Sequence, residues 1–157
     1  MTIKPSGLWL RAESDVRYMK IVEMKIGHYN DVLELWRCCE GVGLENKTDT
    51  KNKTAVYLAR NRGLSHVALE KGNVIGAVLC GHDGRRGYLY HLAVAKEYRG
   101  RDIGHKLVEK ALAKLGSLGI RKCHAFVFTD NAGANKFWES VGWTKRNDLK
   151  VISKDIL

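Results

Sequence analysis

No run of about 18 apolar residues occurs anywhere in this 157-residue chain, so no segment reads as a membrane-spanning helix. The N-terminus lacks the apolar core of a secretory leader, which sets the expectation of a cytoplasmic protein. The two Asn-x-Thr triplets at Asn46 and Asn52 therefore carry no meaning as glycosylation acceptors. Four cysteines are present, but none has C-x-x-C spacing. Cys38 and Cys39 adjoin on an expected helix and point about a hundred degrees apart. Cys80 and His82 share a strand face, whereas Cys123 and His124 alternate faces. No metal site is expected, and the cysteines read as reduced, buried thiols. Two familiar phosphate loops are also missing: there is no G-x-x-x-x-G-K-[ST], and no G-x-G-x-x-G follows a strand. Internal repeats and low-complexity tracts are absent.

The length fits one domain, large enough to bury ~70% of its unfolded surface. Residues 1–18 are mixed and aperiodic and read as an N-terminal extension of unassigned role; the domain is expected over 19–157, with Met19–Val22 as its first strand. Val32, Leu33, Leu35 and Trp36 predict a helix over about 30–40, followed by a loop. Thr50 reads as the cap of a second helix running to about Asn61. Paired strands are predicted at 66–70 and 74–80, around Lys71-Gly72-Asn73. Asp83-Gly84 predicts a type I′ hairpin turn leading into the next strand. Residues 144–146 and 149–156 are expected to close the sheet.

The segment Gly87–Gly104 carries the most information. Tyr88-Leu89-Tyr90-His91-Leu92-Ala93-Val94 is dense in aromatic and branched residues, as a half-buried strand requires. Arg99-Gly100-Arg101-Asp102-Ile103-Gly104 follows. Ile103, Leu107, Ala111 and Leu115 then recur every four residues, with Val108 and Leu112 beside them: the apolar stripe of a packed helix. A helix N-terminus offers unpaired N–H groups and partial positive charge, and arginines add bidentate donors, so this junction suits a phosphorylated ligand.

The six residues Arg99 to Gly104 resemble the acetyl-CoA loop of the GCN5-related N-acetyltransferases (the GNAT superfamily), [QR]-x-x-G-x-[GA], with Asp102 in the place of its first glycine. Downstream, Asn131-Ala132-Gly133-Ala134-Asn135-Lys136-Phe137-Trp138-Glu139-Ser140-Val141-Gly142-Trp143 resembles the superfamily's N-x-x-A-x-x-[FL]-[YW]-x-x-x-G-[FW] segment. Ala134, Phe137, Trp138 and Val141 share one helix face, and Gly142 reads as the helix stop. A strand over 122–128 lies between the two elements.

The resemblance implies an α/β (α+β) GNAT fold: a mixed, mostly antiparallel sheet of about seven strands with about four helices. It implies an acetyl-CoA-dependent N-acetyltransferase working by direct attack of a primary amine in a ternary complex, with acetyl-CoA as donor co-substrate and no metal. It further implies that backbone groups of Leu92, Ala93 and Val94 hold the pantetheine arm and polarise the thioester. Arg99, Gly100, Arg101, Asp102, Ile103, Gly104 and His105 would cradle the pyrophosphate. Asn131 would bond the pantetheine, and Trp138 would flank the thioester.

Asp is among the few non-glycine residues that tolerate φ > 0 at such a position. For the catalytic base, Tyr90 stands four before Val94, where many members carry a glutamate, and His91 follows with chemistry suited to the role. Trp138 replaces the tyrosine that often serves as acid, and an indole N–H cannot protonate a thiolate. The expected partner is a small-molecule or peptide amine, with no membrane; a homodimer is compatible with the family. Two other readings stand beside this one. A non-catalytic acyl-CoA sensor would explain Trp138 and the missing glutamate. The net charge of +10 raises nucleic-acid binding, but no recognised motif accompanies it and part of the charge has a use at CoA phosphates.

Overall fold

The computed structural model describes residues 19–157; the 1–18 extension lies outside the described residues. One compact unit ends at Phe126, and Val127–Leu157 forms a second. The first unit is built on a five-stranded sheet in the order β1 (Met19–Glu23), β2 (His66–Glu70), β3 (Asn73–His82), β4 (Gly87–Val94) and β5 (Cys123–Ala125). All neighbours are antiparallel except β4 and β5, which are parallel. Helices α1 (Tyr29–Cys38) and α2 (Lys51–Arg60) connect β1 to β2, and α3 (Ile103–Ser117) connects β4 to β5.

The apolar periodicities become the two layers of the core. Val32, Leu35 and Trp36 of α1 are buried against Ala77, Leu79 and Ala93. On the opposite face, Ile103, Leu107, Val108, Ala111 and Leu115 of α3 are buried, the four larger side chains each contributing about 1.5–3 kcal/mol of gross hydrophobic stabilisation. The α3 axis comes very close to the sheet. A Cβ on Gly76 would stand 3.0 Å from Leu107 Cδ1, and one on Gly87 only 2.5 Å from Leu115 Cδ1. Thr50 caps α2 as expected, its hydroxyl accepting from the Lys53 N–H at 3.3 Å.

The hairpins differ from the expectation. The tight two-residue turn with both φ positive is Lys71-Gly72 (φ 50° and 83°), the type I′ pattern. Asp83-Gly84 belongs instead to a four-residue loop between His82 and Gly87. Asp83 Oδ1 accepts from the Arg85 and Arg86 N–H groups at 2.8 and 2.7 Å, and this side-chain turn takes the place of a type I′ backbone.

The second unit contains α4 (Ala132–Ser140). Gly142, at φ 84°, ends it in a Schellman motif: the Gly142 N–H donates to Glu139 O and the Trp143 N–H to Trp138 O. The sheet has five strands among the described residues, not about seven, and 144–146 and 149–156 form none. Alternation assigns faces to a segment but supplies no ladder partner, and Leu149, Val151 and Ile152 stand exposed. The strand expected over 122–128 is confined to three residues.

Candidate functional site

β4 changes character halfway along. Its register with β3 runs from Leu79↔Tyr90 to Ala77↔Ala93, so His91 and Leu92 together oppose Val78. This is a β-bulge, and His91 takes the strained backbone position at φ 53°. In a regular strand Tyr90 and His91 would face opposite ways. Here Tyr90 packs against the α1 cluster, and the His91 ring lies 5.0 Å from Trp36, edge-on, on the same side. The Trp36 indole N–H donates to the His91 carbonyl at 2.9 Å and pins the bulge.

The His91 imidazole is held by a residue 42 positions away. Its Nε2 lies 2.8 Å from Asp49 Oδ1, with each side chain 14% exposed. The other carboxylate oxygen accepts the Glu45 N–H at 2.8 Å, and the Tyr29 hydroxyl donates to the Asp49 carbonyl at 2.6 Å. A carboxylate accepting from Nε2–H leaves Nδ1 as the nitrogen with a lone pair. Nδ1 has no hydrogen-bond partner among the described residues and is not sealed from solvent. Asp49 was not visible as a partner in the sequence, because the α1–α2 loop gives no periodic signal. The sequence marks it only as one of three acidic residues, with Glu40 and Glu45, in a loop that could attract a cationic amine or simply face solvent.

Tyr90 differs chemically. Burial, with Tyr88 second, pushes its phenol above the ordinary value, so it stays protonated at neutral pH. Burial likewise pushes the Cys80 thiol up to about 12 and Cys123 up to about 11, in keeping with inert thiols. No cluster of three potential metal ligands occurs among the described residues.

β5 pairs with β4 only from Gly87 to Leu89. Beyond Leu89, the stretch Tyr90–Val94, with the backbones of Leu92, Ala93 and Val94, has no β5 ladder along that edge. The Val94 carbonyl accepts from Arg99 Nε at 3.0 Å, and Arg99 also reaches Cys39 Sγ at 3.7 Å, so this side chain folds back on the strand end. Arg101 stacks over Tyr98, 5.1 Å from the ring centre.

Gly100 and Asp102 both have positive φ, 76° and 63°, so Asp102 keeps the left-handed geometry its position demands. Its carboxylate makes no helix cap; Oδ1 turns to His105 Nδ1 at 3.1 Å. The first intrahelical bond of α3 is Lys106 N–H to Asp102 O, leaving the N–H groups of Ile103, Gly104 and His105 without intrahelical partners. Ile103 is buried, so only its backbone faces this end. The donor set fits an anionic phosphate group.

In the second unit, Asn131 caps α4, its Oδ1 accepting from the Ala134 N–H at 3.0 Å. Trp138 packs on Trp143 at 4.5 Å, the apolar contact that accompanies a Schellman ending.

Comparison with known proteins gives a consistent result. The family model described as Acetyltransferase (GNAT) family matches residues 29–143. An acetyltransferase of Photorhabdus laumondii is 30% identical over 136 residues, covering 85% of this chain and 92% of the relative. An acetyltransferase from Streptococcus agalactiae shares the fold with a TM-score of 0.73 at 19% identity, over 88% of this chain and 92% of that one. An aminoglycoside N-acetyltransferase solved with a CoA-linked bisubstrate analogue gives a TM-score of 0.69 at 16% identity, over 87% and 98% of the two chains.

Proposed function

We propose, from the premise that this chain belongs to the GNAT acetyltransferase family, that it moves an acetyl group from acetyl-CoA to a primary amine by direct attack in a ternary complex. The observation that carries the mechanism is the His91–Asp49 pair on the β4 bulge, beside the edge that β5 leaves.

Acetyl-CoA supplies an activated acyl carbon and a good leaving thiol. The N–H groups at the start of α3 hold its pyrophosphate, joined by Arg101 and by Arg99 once that side chain leaves the Val94 carbonyl. Backbone groups of Leu92 to Val94 hold the pantetheine and polarise the carbonyl as the oxyanion forms. His91 Nδ1 takes a proton from the ammonium form of the acceptor, directly or through one water, while Asp49 fixes the ring. The neutral nitrogen then forms the C–N bond, the tetrahedral adduct gives up its second N–H proton to solvent, the C–S bond breaks, and solvent returns a proton to the thiolate. Tyr90 holds its phenol proton, so in this site it donates and does not act as base. Asp102 keeps the loop conformation with its carboxylate turned toward His105, so pyrophosphate binding survives the missing glycine. The four free cysteines support a cytoplasmic location, where thiols stay reduced.

The test combines calorimetric titration with acetyl-CoA and a thiol-release assay against a panel of primary amines. The expected result is micromolar binding, lost in an Arg99→Ala/Arg101→Ala double variant. His91→Gln should keep that binding and lose about 10²–10³-fold in kcat. Absence of acetyl-CoA binding by the wild type would overturn the proposal; an unchanged kcat in His91→Gln would remove His91 from the chemistry.

A further inference from the structure

We propose that the acceptor carries an aromatic ring, which lies on a row of aromatic side chains leading to His91; the inference rests on the acetyl-transfer reading above. Tyr88 and Tyr90 share one face of β4, and their rings are 6.4 Å apart at 21°. His124 stands opposite Tyr88 in the parallel register, its ring 5.8 Å away. Phe126, just past the last ladder pair, lies 6.3 Å from Tyr88 at 7° and 6.0 Å from Tyr90 at 28°. Three rings are therefore nearly parallel and bridge β4 and the end of β5 where the backbone ladder has stopped.

Core packing accounts for Tyr90 alone, which touches the α1 cluster; Phe126 is 55% exposed, and Tyr88 and His124 are only half-buried and stand outside that cluster. On the neighbouring β3, the side chains buried on the α1 side are the aliphatic Ala77 and Leu79. A line of aligned, partly solvated rings offers a planar guest an offset-stacked position, which an aliphatic surface does not. The row ends at Tyr90, and the next residue is His91. A ring resting on Phe126 and Tyr90 and bearing an amine on a short alkyl arm would bring its nitrogen to the imidazole. The row also says what the acceptor is not. Its four side chains include no carboxylate, and Asp49, the one bonded to His91, has both oxygens engaged. A polycation such as an aminoglycoside would find no counter-charges along it.

The test uses 2-phenylethylamine, its cyclohexyl analogue of equal length, and kanamycin in the thiol-release assay, with wild type, Phe126→Leu and Tyr88→Leu. The expected kcat/KM for the phenyl amine exceeds that for the cyclohexyl amine by about tenfold. The leucine variants should abolish this preference by raising KM for the phenyl amine alone, while the cyclohexyl rate in the same variants controls for folding. Equal use of the two amines, a preference that survives both variants, or better turnover of kanamycin would overturn the proposal. If none of the three amines is turned over, the acetyl-transfer reading stands or falls separately, on acetyl-CoA binding and the wider amine panel. Titration of the CoA-loaded protein with the two amines then decides the ring: tighter phenyl binding, lost in Phe126→Leu, supports it, and equal binding overturns it.

Discussion

The first three residues of β4 and its last five belong to one strand yet are held by different means. From Gly87 to Leu89 the strand is paired on both edges and α3 presses on its face so closely that only glycine fits at residue 87. From Tyr90 to Val94 it is paired on one edge, bulged at His91, and held by side chains: the Trp36 indole, the Asp49 carboxylate and the Arg99 guanidinium. Backbone ladders and apolar contact hold the first half, which supplies no proton-transferring group. The second half gives up a ladder and takes on backbone strain, and in return presents an imidazole with an accessible nitrogen. Stability and candidate chemistry thus lie within a few residues of each other on the same element.

Gly87→Ala should break the closed half alone. The new methyl group meets Leu115 and Cys123 together, and we expect a loss of about 2–3 kcal/mol in urea denaturation. Asp49→Asn addresses the open half alone. It should lower kcat by about tenfold with unfolding free energy little changed, because the histidine loses its orienting charge but keeps a hydrogen-bonding neighbour. Loss of stability larger than loss of rate would show that the loop anchor matters more than the proton chemistry.

Acidification should separate the sheet, through a histidine on β2, from the candidate site. Burial, its largest cause, depresses the pKa of His66 on β2, so the unfolded chain binds this proton more readily than the folded one. Its contribution is complete above the unfolded value of about 6.5 and is lost as pH falls below it. His66→Gln should flatten that acid-side decline in melting temperature while leaving kcat at neutral pH unchanged; a decline as steep as in the wild type would remove His66 as its source. The smallest effect is expected at Asp102→Gly: relief of left-handed strain and removal of a carboxylate should tighten acetyl-CoA by about threefold in calorimetry. Weaker binding would show that the Asp102–His105 contact organises the loop.

What the sequence made legible, and what it hid, follows the reach of the forces involved. The α3 stripe, the Thr50 cap, the Gly142 stop and the left-handed Asp102 all depend on neighbours within about one helical turn, and each was readable. The acetyltransferase family was readable because its two ordered motifs lie within one stretch of chain. The bulge was not readable: Tyr88 to Val94 has no glycine or proline to mark it, and the irregularity exists only relative to β3. The pairing of Asp49 with His91 was hidden for the same reason, since that bond closes a long loop. The Asp83-Gly84 turn misled because the Asp83 side chain captured two N–H groups, a competition that residue identities alone do not rank. The expected closing strands show the limit of alternation, which names a face but not a partner.

The indole that pins the bulge also makes the candidate base observable. Trp36 is 1% exposed and sits edge-on to the His91 ring. An indole so placed is a built-in reporter of the site: displacement of the bulge, by a bound acceptor or by His91→Gln, would change the surroundings of Trp36 and hence its emission, with no label or turnover needed.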